Sequence, residues 1–234
     1  MTDDQAFSLA PPLILTVPGL ANSGPGHWQT LWEQQRSDCH RVELGQWEQP
    51  HRNSWVNQLN LAIRAAASGV TRRPVVLAAH SLGCLAVAWW ALLEADAGQL
   101  VSGALLVAPP DVDGAPHDPR LAGFAPTPAA PLPFPSILVA SRNDPYLTMR
   151  AARQLAHVWH SGFADAGPIG HINADSDIAG WPFGQFLLGR LLAPRPPSRG
   201  SSAHTAGPVG ETSRVAHARK VSPARISINP PPAG

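Results

Sequence analysis

The chain has 234 residues and a formal net charge of +1, which fits one domain with a sizeable core followed by a tail. A balance this near neutrality excludes a partner recruited by global charge, such as nucleic acid. Its two cysteines, Cys39 and Cys84, are too few for a disulfide framework and read as reduced thiols of a cytoplasmic protein.

The start, Met1-Thr-Asp-Asp, lacks the positive charge of a secretory signal, and no apolar run reaches membrane-spanning length, so no membrane role is expected. After a polar lead-in, Leu13-Ile-Leu-Thr-Val17 is a continuous apolar run of the kind a buried parallel strand needs. It stops at Pro18-Gly19-Leu20, and a loop rich in Gly and Ser follows. His27-Trp28 then opens a helix to about Gln35. Residues 41–44 predict a second strand. Asn53 and Ser54 are placed to cap a helix whose apolar face is Trp55, Leu59, Ala62, Ile63 and Ala66.

Residues 75–79 predict the third strand. The helix after it is apolar on nearly every side and should be deeply packed, with Cys84 as a small packing residue. Residues 103–107 predict a fourth strand. Prolines dominate 108–135, which reads as extended loop and not as a helical lid. A fifth strand over 136–140, a helix over 148–160 and a short sixth strand over 162–167 follow. Pro182 suits the first turn of a last helix with Phe183, Phe186, Leu187 and Leu191 on its inner face. Alternating strands and helices predict an α/β fold, a doubly wound, mainly parallel sheet of about six strands over residues 1–193 with no large cap domain. Residues 194–234 are rich in Pro, Ser and Arg. They carry Arg195, Arg199, Arg214, Arg219, Lys220 and Arg225 against Glu211, and their few large apolar residues predict a disordered basic tail.

Chemistry concentrates where the third strand ends. Ala79-His80-Ser81-Leu82-Gly83 places a serine between small residues on a sharp strand-to-helix turn, the pattern of a nucleophile elbow. Side chains two before and two after the serine would meet neighbouring backbone, which is why both are small. Open α/β sheets gather ligands at the carboxyl ends of their strands. Asp144 follows the fifth strand and His171 the sixth, giving the order Ser, Asp, His of α/β hydrolases. In such a set Ser81 attacks, His171 moves the proton and Asp144 orients the imidazole. Oxyanion donors are expected from the backbone N–H of Leu82, directly after the nucleophile, and of Leu20, in the loop after the first strand. Asp111 is the rival acid, because it follows the fourth strand. His80 adjoins the serine but should point away by the geometry of the turn and play a structural role.

Pro18-Gly-Leu with His27-Trp28, Ala79-His-Ser-Leu-Gly83, Leu132-Pro-Phe-Pro-Ser136, Ser141-Arg-Asn-Asp-Pro-Tyr146 and Gly170-His-Ile-Asn-Ala-Asp-Ser176 occur in this order. Together they resemble the YdeN-type serine hydrolases, small α/β hydrolases related to the retinoblastoma-binding hydrolase of animals. The similarity runs over roughly residues 13–192. It implies a compact sheet without a large cap and the triad Ser81, Asp144 and His171, and members are similar to esterases and aminoacyl-ester hydrolases, so a small-molecule ester is the expected substrate; no cofactor is expected. The basic tail is outside the pattern.

Tryptophans can line an acyl pocket. Among Trp28, Trp47, Trp55 and Trp181 the best placed is Trp28, beside His27 and just past the oxyanion loop. The leading expectation is a metal-independent serine hydrolase of small carboxylic esters, with amides or thioesters as further substrates. The alternative is a non-catalytic binding protein that keeps the fold and offers its basic tail to a protein partner. Nucleic-acid binding by that tail is disfavoured, because its cations lack interleaved aromatics. Asp111, Asp113, His117 and Asp118 lack the spacing of a zinc or calcium site.

Overall fold

The computed structural model describes residues 12–68, 73–114 and 116–193. The expected tail, 194–234, lies outside the described residues. Six strands form one sheet: β1 (Leu13–Val17), β2 (Cys39–Arg41), β3 (Val75–His80), β4 (Val101–Val107), β5 (Ser136–Ala140) and β6 (Gly162–Asp165). Every pairing is parallel and the order across the sheet is β2-β1-β3-β4-β5-β6. The chain runs outward from β1 to β2, then returns past β1 to β3 and continues the other way. The order therefore reverses between β1 and β3, and a crevice opens there at the carboxyl ends of the strands.

Burial on both faces explains why these strands read as unbroken apolar runs. Alternate residues point to opposite sides. Leu15, Val17, Leu77 and Ala79 join one core, with Trp55, Leu59 and Ile63 of α2 (Arg52–Ala67), most of α3 (Leu82–Leu93), and Ala152 and Ala156 of α5 (Met149–Val158). Ile14, Val76, Ala78 and Val107 join the other, with Trp28 and Trp32 of α1 (Trp28–Gln35) and Leu187 and Leu188 of α6 (Pro182–Leu192). Each fully buried Leu or Ile in these layers contributes about 1.5–3 kcal/mol. A single helical turn, α4 (Ala97–Leu100), leads straight into β4, which starts two residues before the expected 103.

Several expectations are corrected. β2 is Cys39–Arg41 and not 41–44: its register against Ile14–Thr16 ends at Arg41. Val42 still donates its N–H to the Thr16 carbonyl at 2.9 Å just past the strand end, and Leu44 is buried where the following loop folds onto the core. α2 starts at Arg52 with His51 at its N-cap and no side-chain cap bond, so Asn53 and Ser54 are inside the helix. The segment 108–135 is not wholly extended. One 3-10 stretch, Pro119–Phe124, is capped by Asp118 and buries Leu121 and Phe124. α6 keeps Leu187 and Leu191 against the core as expected but turns Phe183 and Phe186 outward. Phe183 and Phe186 are 40% and 62% exposed, whereas Gly184, Leu187 and Leu188 are buried. The Trp181 indole lies flat against Gly184, where an added Cβ would come 2.0 Å from the ring, and this contact sets the rotation of the helix.

Candidate active site

Two glycines bring the crevice together. A Cβ on Gly83 would lie 2.3 Å from the Val17 carbonyl oxygen and 2.6 Å from that of Pro18. The first turn of α3 can therefore cross the end of β1 only because residue 83 has no side chain. A Cβ on Gly19 would lie 2.8 Å from Ser81 Cβ and 3.2 Å from Leu82 N, so the loop after β1 runs directly against the elbow. Ser81 itself sits at φ 52° and ψ −125°, a conformation that costs about 1–3 kcal/mol and that the surroundings must impose. Its N–H donates to the Val107 carbonyl at 2.9 Å.

The structure brings Ser81, Asp144 and His171 together. Ser81 Oγ lies 2.9 Å from His171 Nε2. His171 Nδ1 lies 2.9 and 3.0 Å from the two oxygens of Asp144. A carboxylate only accepts, so Nδ1 carries the proton and a neutral imidazole offers its Nε2 lone pair to the serine hydroxyl. Asp144 is held in turn, because its Oδ1 accepts the Tyr146 N–H at 2.9 Å. The Asp144 side chain is 2% exposed and that of His171 11%, so the interaction is shielded from water. Such a chain of groups can deprotonate a hydroxyl as it attacks a carbonyl and can return the proton to a leaving group.

A cleft of about 290 Å³ opens over Ser81, with Leu20, Asn22, His27, Arg120, Tyr146 and Asn173 among its walls. Among the described residues neither the Leu20 N–H nor the Leu82 N–H has a hydrogen-bond acceptor. Arg120 pairs with Asp118 at 2.7 Å and reaches Glu48 at 3.0 Å, and this pairing holds the Asp118 carboxyl below its ordinary value.

Other expected site residues go elsewhere. Trp28 is fully buried and donates its Nε1–H to the Ile172 carbonyl at 2.9 Å. It packs 4.6 Å from Trp32 and 5.3 Å from Trp181, so it is behind the site and not in the cleft. Trp55 and Trp181 are core residues, and Trp47 packs against Trp55. His27 does reach the cleft wall. Its Nδ1 accepts the Gln29 N–H and caps α1, which puts its proton on Nε2, a buried atom with no partner among the described residues. Burial, then Arg41 and His171 nearby, pushes His27 down to about 3. His80 does not point away: its ring lies 5.0 Å from that of His171 and its Nε2 meets the His171 carbonyl at 2.9 Å. Burial, with His27 and His171, keeps His80 well below its ordinary value.

Asp111 turns inward on its own loop, accepting the Asp113 N–H at 3.0 Å, and Asp113 accepts the Thr127 N–H at 2.7 Å. Among the described residues no group of three His, Cys, Asp or Glu side chains is gathered as for a metal ion. No described helix is long and apolar enough to cross a membrane. Both cysteines are buried and free. Burial raises the Cys39 thiol to about 12 and raises Cys84 further, so neither supplies a thiolate.

Sequence reasoning passed over Tyr146, whose ring packs 4.2 Å from that of His171, and over Ser141 and Asn143. Ser141 Oγ accepts the Ile169 N–H at 3.0 Å, and Asn143 Oδ1 accepts the Gly170 N–H at 2.7 Å. The available signal was the run Ser141-Arg-Asn-Asp144, since Ser and Asn beside an acid on a short loop are the residues that bind neighbouring backbone.

A family described as Serine hydrolase matches residues 14–190. A YdeN-like hydrolase of Pectobacterium atrosepticum is 29% identical, with a TM-score of 0.67 over 78% of this chain and 91% of that one. The ydeN gene product of B. subtilis is 17% identical, with a TM-score of 0.61 over 78% and 98%. The esterase domain of a Rhodothermus marinus protein is 15% identical, with a TM-score of 0.54 over 82% and 89%. At such identities the last two speak for the fold alone. No curated protein matches the sequence.

Proposed function

The chain belongs to the Serine hydrolase family, which it matches over residues 14–190, and on that premise we propose that it cleaves small carboxylic esters through an acyl-enzyme on Ser81. The observation that carries this reading is the continuous path from Ser81 Oγ through His171 to Asp144, with 2.9 Å at each step. Ser81 Oγ attacks the ester carbonyl carbon while His171 Nε2 takes its proton. The oxygen of the tetrahedral intermediate takes hydrogen bonds from the N–H groups of Leu82 and Leu20, each donor contributing about 10²–10³ in kcat. Collapse expels the alcohol, which leaves with the proton from His171. Water then attacks the acyl-Ser81 carbonyl, His171 again accepting and returning the proton, and the acid departs. Asp144 keeps the imidazole in the required tautomer throughout. None of these steps calls for a metal.

The cleft favours a short, polar substrate. Its 290 Å³ is near the lower end of the roughly 300–1,000 Å³ typical of ligand sites, and Asn22, Asp118, Arg120 and Asn173 line it. Amides and thioesters fit the same chemistry, esters being the least demanding. Two buried, unpaired thiols favour a cytoplasmic setting.

A fluorophosphonate probe tests the reaction class. Wild type is expected to label and Ser81→Ala to remain unlabelled, and equal labelling of both refutes the assignment. A series of p-nitrophenyl esters tests the substrate class. We expect kcat/KM to be highest for acetate and butyrate and to fall for octanoate and laurate, with no response to EDTA. A rise with chain length counts against the polar cleft as the acyl site.

A further inference from the structure

The loop between β6 and α6 carries His171, yet from Ile169 to Ile172 it has no ladder of its own. Among the described residues its hydrogen bonds there all come from side chains. Within this stretch Ile172 has φ 52°. For a β-branched residue the left-handed region is an outlier, worth about 1–3 kcal/mol of strain, and it persists only where neighbours enforce it.

The enforcement is visible. The Ile172 side chain is fully buried in the core beside α1 and α6. Its carbonyl accepts the indole N–H of Trp28, and the carbonyl just before it, that of His171, accepts the ring N–H of His80, both at 2.9 Å. Trp28 is the first residue of α1, and His80 is the last residue of β3, one before Ser81. A carbonyl oxygen can only accept, so the His80 proton is on Nε2. Burial keeps that ring neutral, so the donor persists through the working pH range.

The geometry points to Trp28 and His80 as positioning residues of the reaction: their ring N–H groups hold the carbonyls of His171 and of the left-handed Ile172 after it, and so aim the His171 ring between Ser81 and Asp144. The inference rests on the triad proposed above. Neither residue touches substrate. His80 ties the strand that ends at the nucleophile to the backbone of the base, so a shift of one is transmitted to the other. A misplacement of about 1 Å in such a set lowers the rate about 10²-fold.

The test removes the donors singly and reads the base directly. His80→Phe keeps a ring and loses the N–H; His80→Gln restores an amide donor; Trp28→Phe removes the second donor and stands in where His80→Phe fails to fold. For p-nitrophenyl acetate, His80→Phe and Trp28→Phe are expected to lower kcat about 10- to 100-fold with KM within about twofold, and His80→Gln to recover most of the loss. The low-field proton resonance of His171 Nδ1–H, held by Asp144, should move upfield or broaden in both Phe variants and return in His80→Gln. A resonance unchanged in the Phe variants overturns the proposal, whether or not kcat falls, and so does a wild type that shows no such resonance. Fluorophosphonate labelling of wild type separates the two readings: no labelling, with a resonance that still depends on His80, refutes the hydrolase and leaves the clamp standing.

Discussion

Ser81 and His171 face each other across one hydrogen bond, but the two are held in different ways. The elbow is built from backbone. β3 lies between β1 and β4, all six of its residues are buried, and the Ser81 N–H itself bonds to Val107 at the end of the neighbouring strand. The histidine loop leaves β6, an edge strand with no fully buried residue. Side chains from β3, α1 and the loop after β5 hold it in place. The first region inherits its geometry from the sheet. The second is positioned by residues far away in sequence, so a substitution there can change direction without changing the fold.

The largest effect that separates the two is expected at Gly83. Gly83→Ala forces a Cβ to within 2.3 Å of the Val17 carbonyl oxygen and 2.6 Å of that of Pro18. Neither backbone oxygen can yield without moving β1. Overpacking of this kind is expected to destabilise by about 3 kcal/mol, read as a lowered urea midpoint with activity and structure lost together. A variant with wild-type stability would mean that the elbow is looser than its contacts imply.

The counterpart is Asn143→Ala. Its Oδ1 accepts the Gly170 N–H at 2.7 Å and the Ser141 hydroxyl at 2.9 Å. The site is exposed, so water replaces the lost acceptor and stability should fall by less than about 1 kcal/mol. The His171 loop loses one of its four side-chain anchors, and kcat should fall about tenfold with KM nearly unchanged. A loss of stability matching the loss of activity would erase the distinction between the two regions.

The same distinction explains what the sequence disclosed. Ser81 between Ala79 and Gly83 was legible because an elbow needs small residues at fixed local spacing, and Gly83 meets that need against Val17 and Pro18. Four of the strands, β1, β3, β4 and β5, were legible because burial on both faces forces unbroken apolar runs. Asp144 and His171 were legible as residues just past strand ends. Trp28 was misplaced because adjacency to the loop after β1 says nothing about the direction of an indole. That direction is decided by Ile172, 144 positions away. The direction of the His80 ring was misread for the same reason, though not its structural role. Leu187 and Leu191 were legible on the inner face of α6, but Phe183 and Phe186 were not, because Trp181, one residue before the helix, occupies the ground over Gly184. β2 was set late because Leu44 is buried by loop packing, which has the same apolar signature as pairing, while Val42 still bonds to Thr16 at the strand end.

An effect seen only on acidification concerns the joint where the two regions meet, since His27 lies 4.7 Å from His80, which in turn lies 5.0 Å from His171. Burial, ahead of Arg41 and His171, lowers His27 from 6.5 to about 3. Between those values the unfolded chain binds a proton at this position and the folded chain does not. The contribution is therefore fully present above about pH 6.5 and is lost as pH falls towards 3, at about 1.4 kcal/mol per pH unit. From pH 7 to pH 5 the integrated loss is about 2 kcal/mol for His27, and His80 acts in the same direction. The lowered carboxylates Asp96, Asp118 and Asp165 titrate below this window. Urea unfolding at the two pH values isolates the effect when wild type is compared with His27→Gln, which has no proton to take up. The variant should lose about 2 kcal/mol less than wild type on acidification. Equal losses would mean that water enters between His27 and His80 and that the elbow and the loop meet through solvent, not through a dry contact.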